Sequence, residues 1–450
     1  IPFRGMQEGE PEVGLHVDRR IYQRGHTLSF VQHGLGGQGD RLQAGIRESF
    51  VFREICETPF RTVAYGIAGK CKKQINSHDY ITASRNTRSS CETIGWRYIC
   101  WMPSLLLFLG LFVLVFVFLN GQSTTTMRWM GIWCVWFLCI VLPKLVFVLF
   151  SQLFRLFHAG QWSVCFSVGI SILLMGYLIY GATAGVRHFR IREVTLSSDE
   201  LPAGFDGYRI VHISDIHAGS WGANAADLQR AVRLINERQA DLVLFTGDLV
   251  NDRAEEVDEL LPVFSRIRAE DGVYSVLGNH DYGIYTKWEN KDCQDANLEA
   301  LKAKQAEMGW VLLDNTHRIL HQGGDSIALI GVENCGGEHF TDRGDLPKAS
   351  AGTEGMFKIL MSHDPSHWRR EVLHRNDIQL TLAGHTHGMQ CSIFGFSLAR
   401  YLFSEYDGLY RENDRYLYVN VGLGHIFPMR LGAWPEITVI TLKTEDAEQQ

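Results

Sequence analysis

The hydrophobic rhythm of the chain changes once, near residue 187. Before it lie three apolar runs, about 101–121, 129–150 and 162–186, each long enough to cross a bilayer as a helix. The first is unbroken from 105 to 119. Tryptophans at 101, 129 and 162 stand at the starts, where amphipathic rings favour the membrane–water boundary. Pro143 and Lys144 interrupt the second run. An ammonium is costly at bilayer depth, so Lys144 is expected to snorkel, face a partner helix or mark a break. From 208 onward, short apolar runs alternate with amphipathic segments. They predict strands at 208–213, 242–246, 273–277, 327–332, 358–361, 379–383, 417–421 and 437–442, and helices at 224–239, 255–268, 298–307 and 367–374. Alternation early and strand enrichment later predict an α/β domain with a mixed sheet or two packed sheets over 206–442. Residues 1–95 show neither period and lack the apolar core of a signal peptide. They are expected to be a disordered tail or sequence outside the natural product, with Met102 a candidate start.

Charge sharpens this division. The net charge of −7 splits into +4 over 1–100, +3 over 101–186 and −14 over 187–450. An acidic domain argues against nucleic-acid binding through a basic face and suits a site that gathers divalent cations. Arginines flank both ends of the apolar region, at 85, 88 and 97 and at 187, 190 and 192. Three spans cannot place both flanks on the cytoplasmic side, so orientation stays open, with a cytoplasmic catalytic domain favoured. Cys293, Cys335 and Cys391 are the acidic domain's only cysteines, and no C-x-x-C pair occurs, so free thiols are expected.

The candidate chemistry lies just after the predicted strands. Asp215 and His217 follow the first, Asp248 the second, and Asn279, His280 and Asp281 the third; His363 and then His385 and His387 follow two later ones. In open α/β sheets, sites are built at the carboxyl ends of strands. Two divalent cations can clamp a phosphate and generate hydroxide near neutral pH, and they need a bridging carboxylate with imidazole and carboxylate ligands around it. Mixed nitrogen and oxygen donors suit Mn, Fe, Zn or Co better than Mg or Ca. Gly247, Gly278 and Gly384 precede ligands and are expected to let the backbone turn sharply.

The ordered string D-x-H, G-D, G-N-H-D, H and G-H-x-H resembles the calcineurin-like metallophosphoesterase superfamily, over about 206–442. The flanking Ser362-His363-Asp364-Pro365, the Leu382 to Gly388 stretch and a tail through Pro428, Met429, Arg430 and Pro435 resemble its YkuE/YaeI-like branch of membrane-associated bacterial members. The resemblance implies a four-layer α/β/β/α sandwich preceded by transmembrane helices, in the cytoplasmic membrane of a bacterium. It implies that Asp215, His217 and His387 bind one metal, that Asn279, His363 and His385 bind a second, and that Asp248 bridges. His280 would be the general acid and Asp281 its orienting partner. Met389 departs from the branch, which commonly has glycine there, and is expected to narrow the pocket beside His387.

The other histidines read differently. His212 is expected to be structural, and His425 is a candidate for lining the pocket; Glu333 and Asn334 border the site or serve a turn. The functional expectation is a membrane-anchored phosphoesterase acting on a phosphomonoester, phosphodiester or pyrophosphate, with the bilayer as partner. A lipid-linked substrate such as UDP-diacylglucosamine is a candidate by analogy with the branch. A cell-envelope phosphatase with a soluble or wall-polymer substrate, and a vestigial metal-binding sensor, are the alternatives.

Overall fold

The computed structural model describes residues 101–117, 119, 124–156, 162–221, 225–337 and 340–445. The expectations for residues 1–95 lie outside it. Helix α1 (Trp101–Val117) is apolar and short, whereas α2 (Thr124–Leu156) and α3 (Trp162–Thr183) are long and apolar enough to cross a membrane. Only 17% of each long apolar window is buried, where the core helix of a soluble protein would be mostly covered. The α1 and α2 helices meet at Gly110, where a Cβ would sit 2.4 Å from the Trp133 ring. Lys144 faces a partner helix, as one expectation held. It donates to Ser104 Oγ at 2.9 Å and lies 5.7 Å over the Trp101 ring.

The catalytic-type domain owes its layers to the period-2 alternation of its strands. One sheet joins β1 (Arg190–Ser198), β2 (Arg209–Ile213), β3 (Leu242–Phe245), β4 (Val273–Ser275), β5 (Trp310–Leu312) and β12 (Glu436–Thr444), in the order β1-β12-β2-β3-β4-β5. The other joins β6 (Thr316–Gln322), β7 (Asp325–Gly331), β8 (Phe357–Met361), β9 (Leu380–Ala383), β10 (Gly408–Glu412) and β11 (Arg415–Val419), in the order β10-β11-β9-β8-β7-β6. Ile210, Leu242, Leu244 and Ile440 of the first sheet face Ile327, Ile359, Met361 and Leu382 of the second, and form the middle of the sandwich. Their strand neighbours point outward. Val211, Val243 and Phe245 pack under α4 (Ala225–Asn236), whose Leu228, Ala231, Val232 and Ile235 recur at helical spacing. Helix α5 (Lys291–Glu307) adds Leu301 to that layer. On the far side, Trp368 and Val372 cover Ala328, Ile330 and Leu360. The result is the expected α/β/β/α stack.

Two local differences have physical reasons. The expected helix at 255–268 is two short pieces, Ala254–Val257 and Leu261–Phe264. Pro262 sits in the first turn of the second, and a proline lacks the N–H that a continuous helix would need there. Next, β1 precedes the expected domain start at 206. It is an edge strand with charges at 190, 192 and 193 and apolar residues at 191, 194 and 196, and among the described residues it pairs only with β12, in parallel. Arg192 fixes this pairing, with Nη1 2.7 Å from Asp407 Oδ1 and Nε 3.5 Å from buried Glu436 Oε2. Finally, Cys293, Cys335 and Cys391 are free, as expected.

The helices dock on the segment before β12. Cys139 and Leu178 pack with Met429 and Leu431. Arg430 N donates to Gly181 O at 3.0 Å, and a Cβ on Gly131 would meet Pro428 at 2.8 Å.

A fragment starting at residue 206 lacks β1 and leaves β12 as an open edge. It is expected to melt several degrees below a fragment starting at 187, and to aggregate more readily, in circular dichroism melts and light scattering.

Candidate metal centre

Parallel strands from both sheets end at one edge of the sandwich, and the loops leaving them carry the polar residues. Asp215 and His217 follow β2, Asp248 follows β3, and Asn279, His280 and Asp281 follow β4. His363 follows β8, and His385 and His387 follow β9. The structure brings all nine together. His387 Nε2 lies 3.2 Å from Asp215 Oδ1 and 3.0 Å from His217 Nε2. Asp248 Oδ2 lies 3.7 Å from His217 Nε2 and 3.2 Å from His363 Nε2. Asn279 Oδ1 lies 3.1 Å from His363 Nε2 and 2.8 Å from His385 Nδ1. Two ligand groups therefore adjoin through Asp248.

The outer nitrogens show what the inner ones are for. His217 Nδ1 is 3.2 Å from Asn251 Oδ1, and His363 Nδ1 is 2.6 Å from Thr246 O. If each outer nitrogen donates to its oxygen, Nε2 of the neutral ring presents a lone pair toward the Asp248 carboxylate. Lone pairs facing a carboxylate call for a cation between them, so the donor set fits divalent metal. Burial opposes a charge on His363, but Asp248 beside it outweighs burial and holds its pKa up at about 10. Burial keeps His217 well below the usual imidazole range, reinforced by His280, and lowers His385. Burial also resists ionisation of Asp215 and Asp248, yet His387 beside the first and His363 beside the second hold both carboxyls low.

The backbone is bent to achieve this. Asp215, His217, Asp248, His385 and His387 all have positive φ, between 50° and 71°. That left-handed region is uncommon for residues with side chains, and Asp and His tolerate it better than most. Five instances in one cluster mark a place where geometry outweighs local conformational preference. Of the three preceding glycines, only Gly247 uses its conformational freedom, at φ +91°. Gly278 and Gly384 instead make room. A Cβ on the first would sit 2.2 Å from Asp248 Oδ1, and on the second 2.3 Å from Asp215 Oδ2.

Asp281 is not beside the His280 ring. Its buried carboxylate accepts from the backbone N–H groups of Gly278, Asp248, Leu249 and Val250 at 2.8–3.2 Å. The contact that orients His280 is Asn251 O, 2.8 Å from Nδ1. Met389 is 42% exposed at φ +51°, a left-handed conformation that glycine adopts more readily. His212 is structural, with Nε2 2.8 Å from Thr246 Oγ1 and a pKa pushed down by burial to about 3. His425 packs edge-on against Trp221 and lines a cavity of about 530 Å³ with Arg128, Arg187, Ser220 and Asp227, at the ends of the apolar helices. Glu333 accepts from Tyr282 and Asn315 rather than joining the cluster.

Sequence reading missed three residues around the centre. Asn251 holds His217 through its side chain and His280 through its carbonyl. Tyr285 accepts from Asn279 Nδ2 at 2.8 Å, with its ring 4.4 Å from that of His280. Arg430 is fully buried, donates to the carbonyls of Val421, Gly424 and Ala433, and places Nη2 3.0 Å from His387 Nδ1. Only Arg430 had a sequence signal, its place in the tail.

A sequence model described as calcineurin-like phosphoesterase matches residues 208–389, which hold all nine site residues. The chain is 31% identical over 261 residues to the uncharacterized metallophosphoesterase YkuE of Bacillus subtilis, covering 56% of this chain and 85% of that one. The chain belongs to the calcineurin-like phosphoesterase family. As a member it is a metal-dependent phosphoester hydrolase. It is also 31% identical over 276 residues to a transmembrane protein with metallophosphoesterase domain from Danio rerio, covering 59% of this chain and 60% of that one. A third relative, UDP-2,3-diacylglucosamine pyrophosphatase LpxG of Chlamydia trachomatis, is 24% identical over 332 residues, covering 62% and 97%. These relatives come from bacteria and a vertebrate alike. The transmembrane name and the two long apolar helices agree on membrane association.

Asp248→Ala removes the carboxylate shared by both residue groups and is expected to abolish metal uptake, measured by elemental analysis of purified protein. Asp281→Asn turns an amide N–H toward four backbone donors. A loss on the order of 2 kcal/mol or more is expected in denaturant melts, with weaker metal retention.

Proposed function

We propose that the protein is a membrane-anchored phosphoesterase that works with two divalent cations on a phosphate ester or pyrophosphate presented at a lipid surface. The observation that carries this is Asp248, a buried carboxylate with imidazole ligands on both sides. Asp215, His217 and His387 would hold one cation, and Asn279, His363 and His385 the other, each nitrogen or oxygen donor suiting Mn, Fe, Zn or Co. A cation pair, when bound, neutralises phosphate charge and supplies hydroxide near neutral pH.

The protein's own groups do the rest. His280 sits beside the shared carboxylate, with its backbone N–H donating to Asp248 Oδ1 at 2.9 Å and its ring 4.8 Å edge-on from that of His217. Asn251 O holds Nδ1, which leaves Nε2 free to give a proton. As the phosphorus–oxygen bond to the leaving group breaks and water-derived oxygen bonds to phosphorus, the proton on Nε2 passes to the departing oxygen. The Tyr285 ring lies 4.4 Å from this ring, inclined to it by 36°.

Membrane anchoring is supported by the exposed apolar surfaces of α2 and α3 and by the relatives named as transmembrane proteins. The packing of α1 antiparallel to α2 makes three crossings the natural count, with the catalytic domain on the side opposite residue 101. A lipid-linked pyrophosphate is favoured over a soluble or wall-polymer ester because LpxG, whose name gives such a substrate, matches along 97% of its length. An intact His280 and ligand set speaks against a vestigial sensor.

The test is hydrolysis of bis-p-nitrophenyl phosphate by the full chain in detergent with Mn²⁺, Zn²⁺ or Co²⁺. No turnover with any of them would overturn the enzymatic reading. His280→Ala is expected to keep its metal and lose roughly 10²–10⁴-fold in kcat, most for esters with poor leaving groups. Metal loss equal to that of Asp248→Ala would remove His280 from the role of acid.

A further inference from the structure

The loop that follows the last metal ligand has a composition the site does not explain. Residues 388–404 contain Met, Ile, Phe, Leu and Tyr, no acid, and one charge, Arg400. In the fold its large apolar side chains stand in solvent: Phe394 is fully exposed, Tyr401 71% and Leu402 68%, with Ile393, Phe396 and Leu398 beside them. Soluble surfaces rarely carry so concentrated an apolar patch. The Arg400 guanidinium lies 5.5 Å over the Phe396 ring and 5.8 Å over that of Tyr401. A cation seated on aromatic rings is the arrangement that suits the boundary between lipid phosphates and acyl chains.

Two attachments decide what covers this patch. Ser392 N donates to Leu431 O at 2.6 Å, and Leu431 N donates to Gln390 O at 2.9 Å. The Gln390 amide also donates to Phe427 O and Met429 O. Residues 427–431 are the segment on which the ends of α2 and α3 dock, through Pro428, Met429 and Leu431. The loop and the helix ends therefore hang on one strap and occupy the same face of the domain. The second attachment is to the metal centre. Ser397 Oγ donates to the carbonyl of Gly388, next to His387, and the Phe403 ring lies edge-on 5.8 Å from His385.

We infer that this loop enters the lipid surface, with Phe394, Tyr401 and Leu402 among the acyl chains and Arg400 at the phosphates. The mouth of the metal centre then lies against the bilayer, and a lipid-linked ester reaches it with its chains still in the membrane. This rests on the reading of α2 and α3 as membrane spans.

The test uses the full chain reconstituted in vesicles of phosphatidylcholine and phosphatidylglycerol that carry radiolabelled phosphatidylcholine. A photoreactive benzoylphenylalanine replaces Phe394, Leu402 or, as control, Asp414, which lies in the turn at the opposite end of β11. On irradiation, label is expected on the 394 and 402 proteins at several times the control. Label no higher than at 414, or attachment to a second copy of the chain instead of lipid, overturns the inference. Release of unaltered protein from the vesicles by alkaline carbonate overturns the anchoring and the inference with it. Protein retained but unlabelled overturns the loop assignment alone. Turnover of bis-p-nitrophenyl phosphate by the 394 variant in detergent, equal to the unaltered protein, is expected and keeps a misfolded loop from passing as a negative.

Discussion

Everything at the centre hangs on one buried carboxylate that touches no ligand atom. Asp281 gathers four backbone N–H groups from two loops, one leaving β3 and the other leaving β4. A carboxylate out of water is expensive unless its lone pairs are filled, and here the backbone fills them. The return is positional: Asp248 is held in a left-handed turn it would not choose alone. Burial and the nearby Asp248 charge raise the Asp281 pKa to about 7. Cations in the two ligand groups would favour its ionised form again, so metal occupancy and the integrity of the loop support one another.

The same logic of indirect support runs around the site. His217 and His363 face inward because their outer nitrogens are held by Asn251 and Thr246. The clustered residues come from five loops, each leaving a strand of the apolar sandwich. The apolar sandwich thus supplies the rigidity that the left-handed turns consume.

The cluster of polar residues was legible because each block stands directly after an apolar run, where a strand must end. The sandwich followed from the same alternation, and the apolar helices from their length. What was not legible depends on backbone atoms or on direction. Asn251 acts partly through its carbonyl, which every residue has. Asp281 sits next to His280 in sequence and suggested a local pair, but the tight turn at His280–Tyr282 sends the two side chains apart. β1 reads as polar because one edge of it meets solvent, and its partner lies over two hundred residues away. Gly278 and Gly384 announced sharp turns but serve clearance, a distinction that only neighbouring atoms reveal.

The seating of the C-terminal strand between β1 and β2 has a consequence for biogenesis. During synthesis β2 emerges well before β12, and the slot beside β2 stays vacant until residues 436–444 have been made. For that interval the growing chain presents an unpaired ladder of amides along β2. Closure of the first sheet therefore waits on a strand made more than two hundred residues after β2, and is a late event in folding.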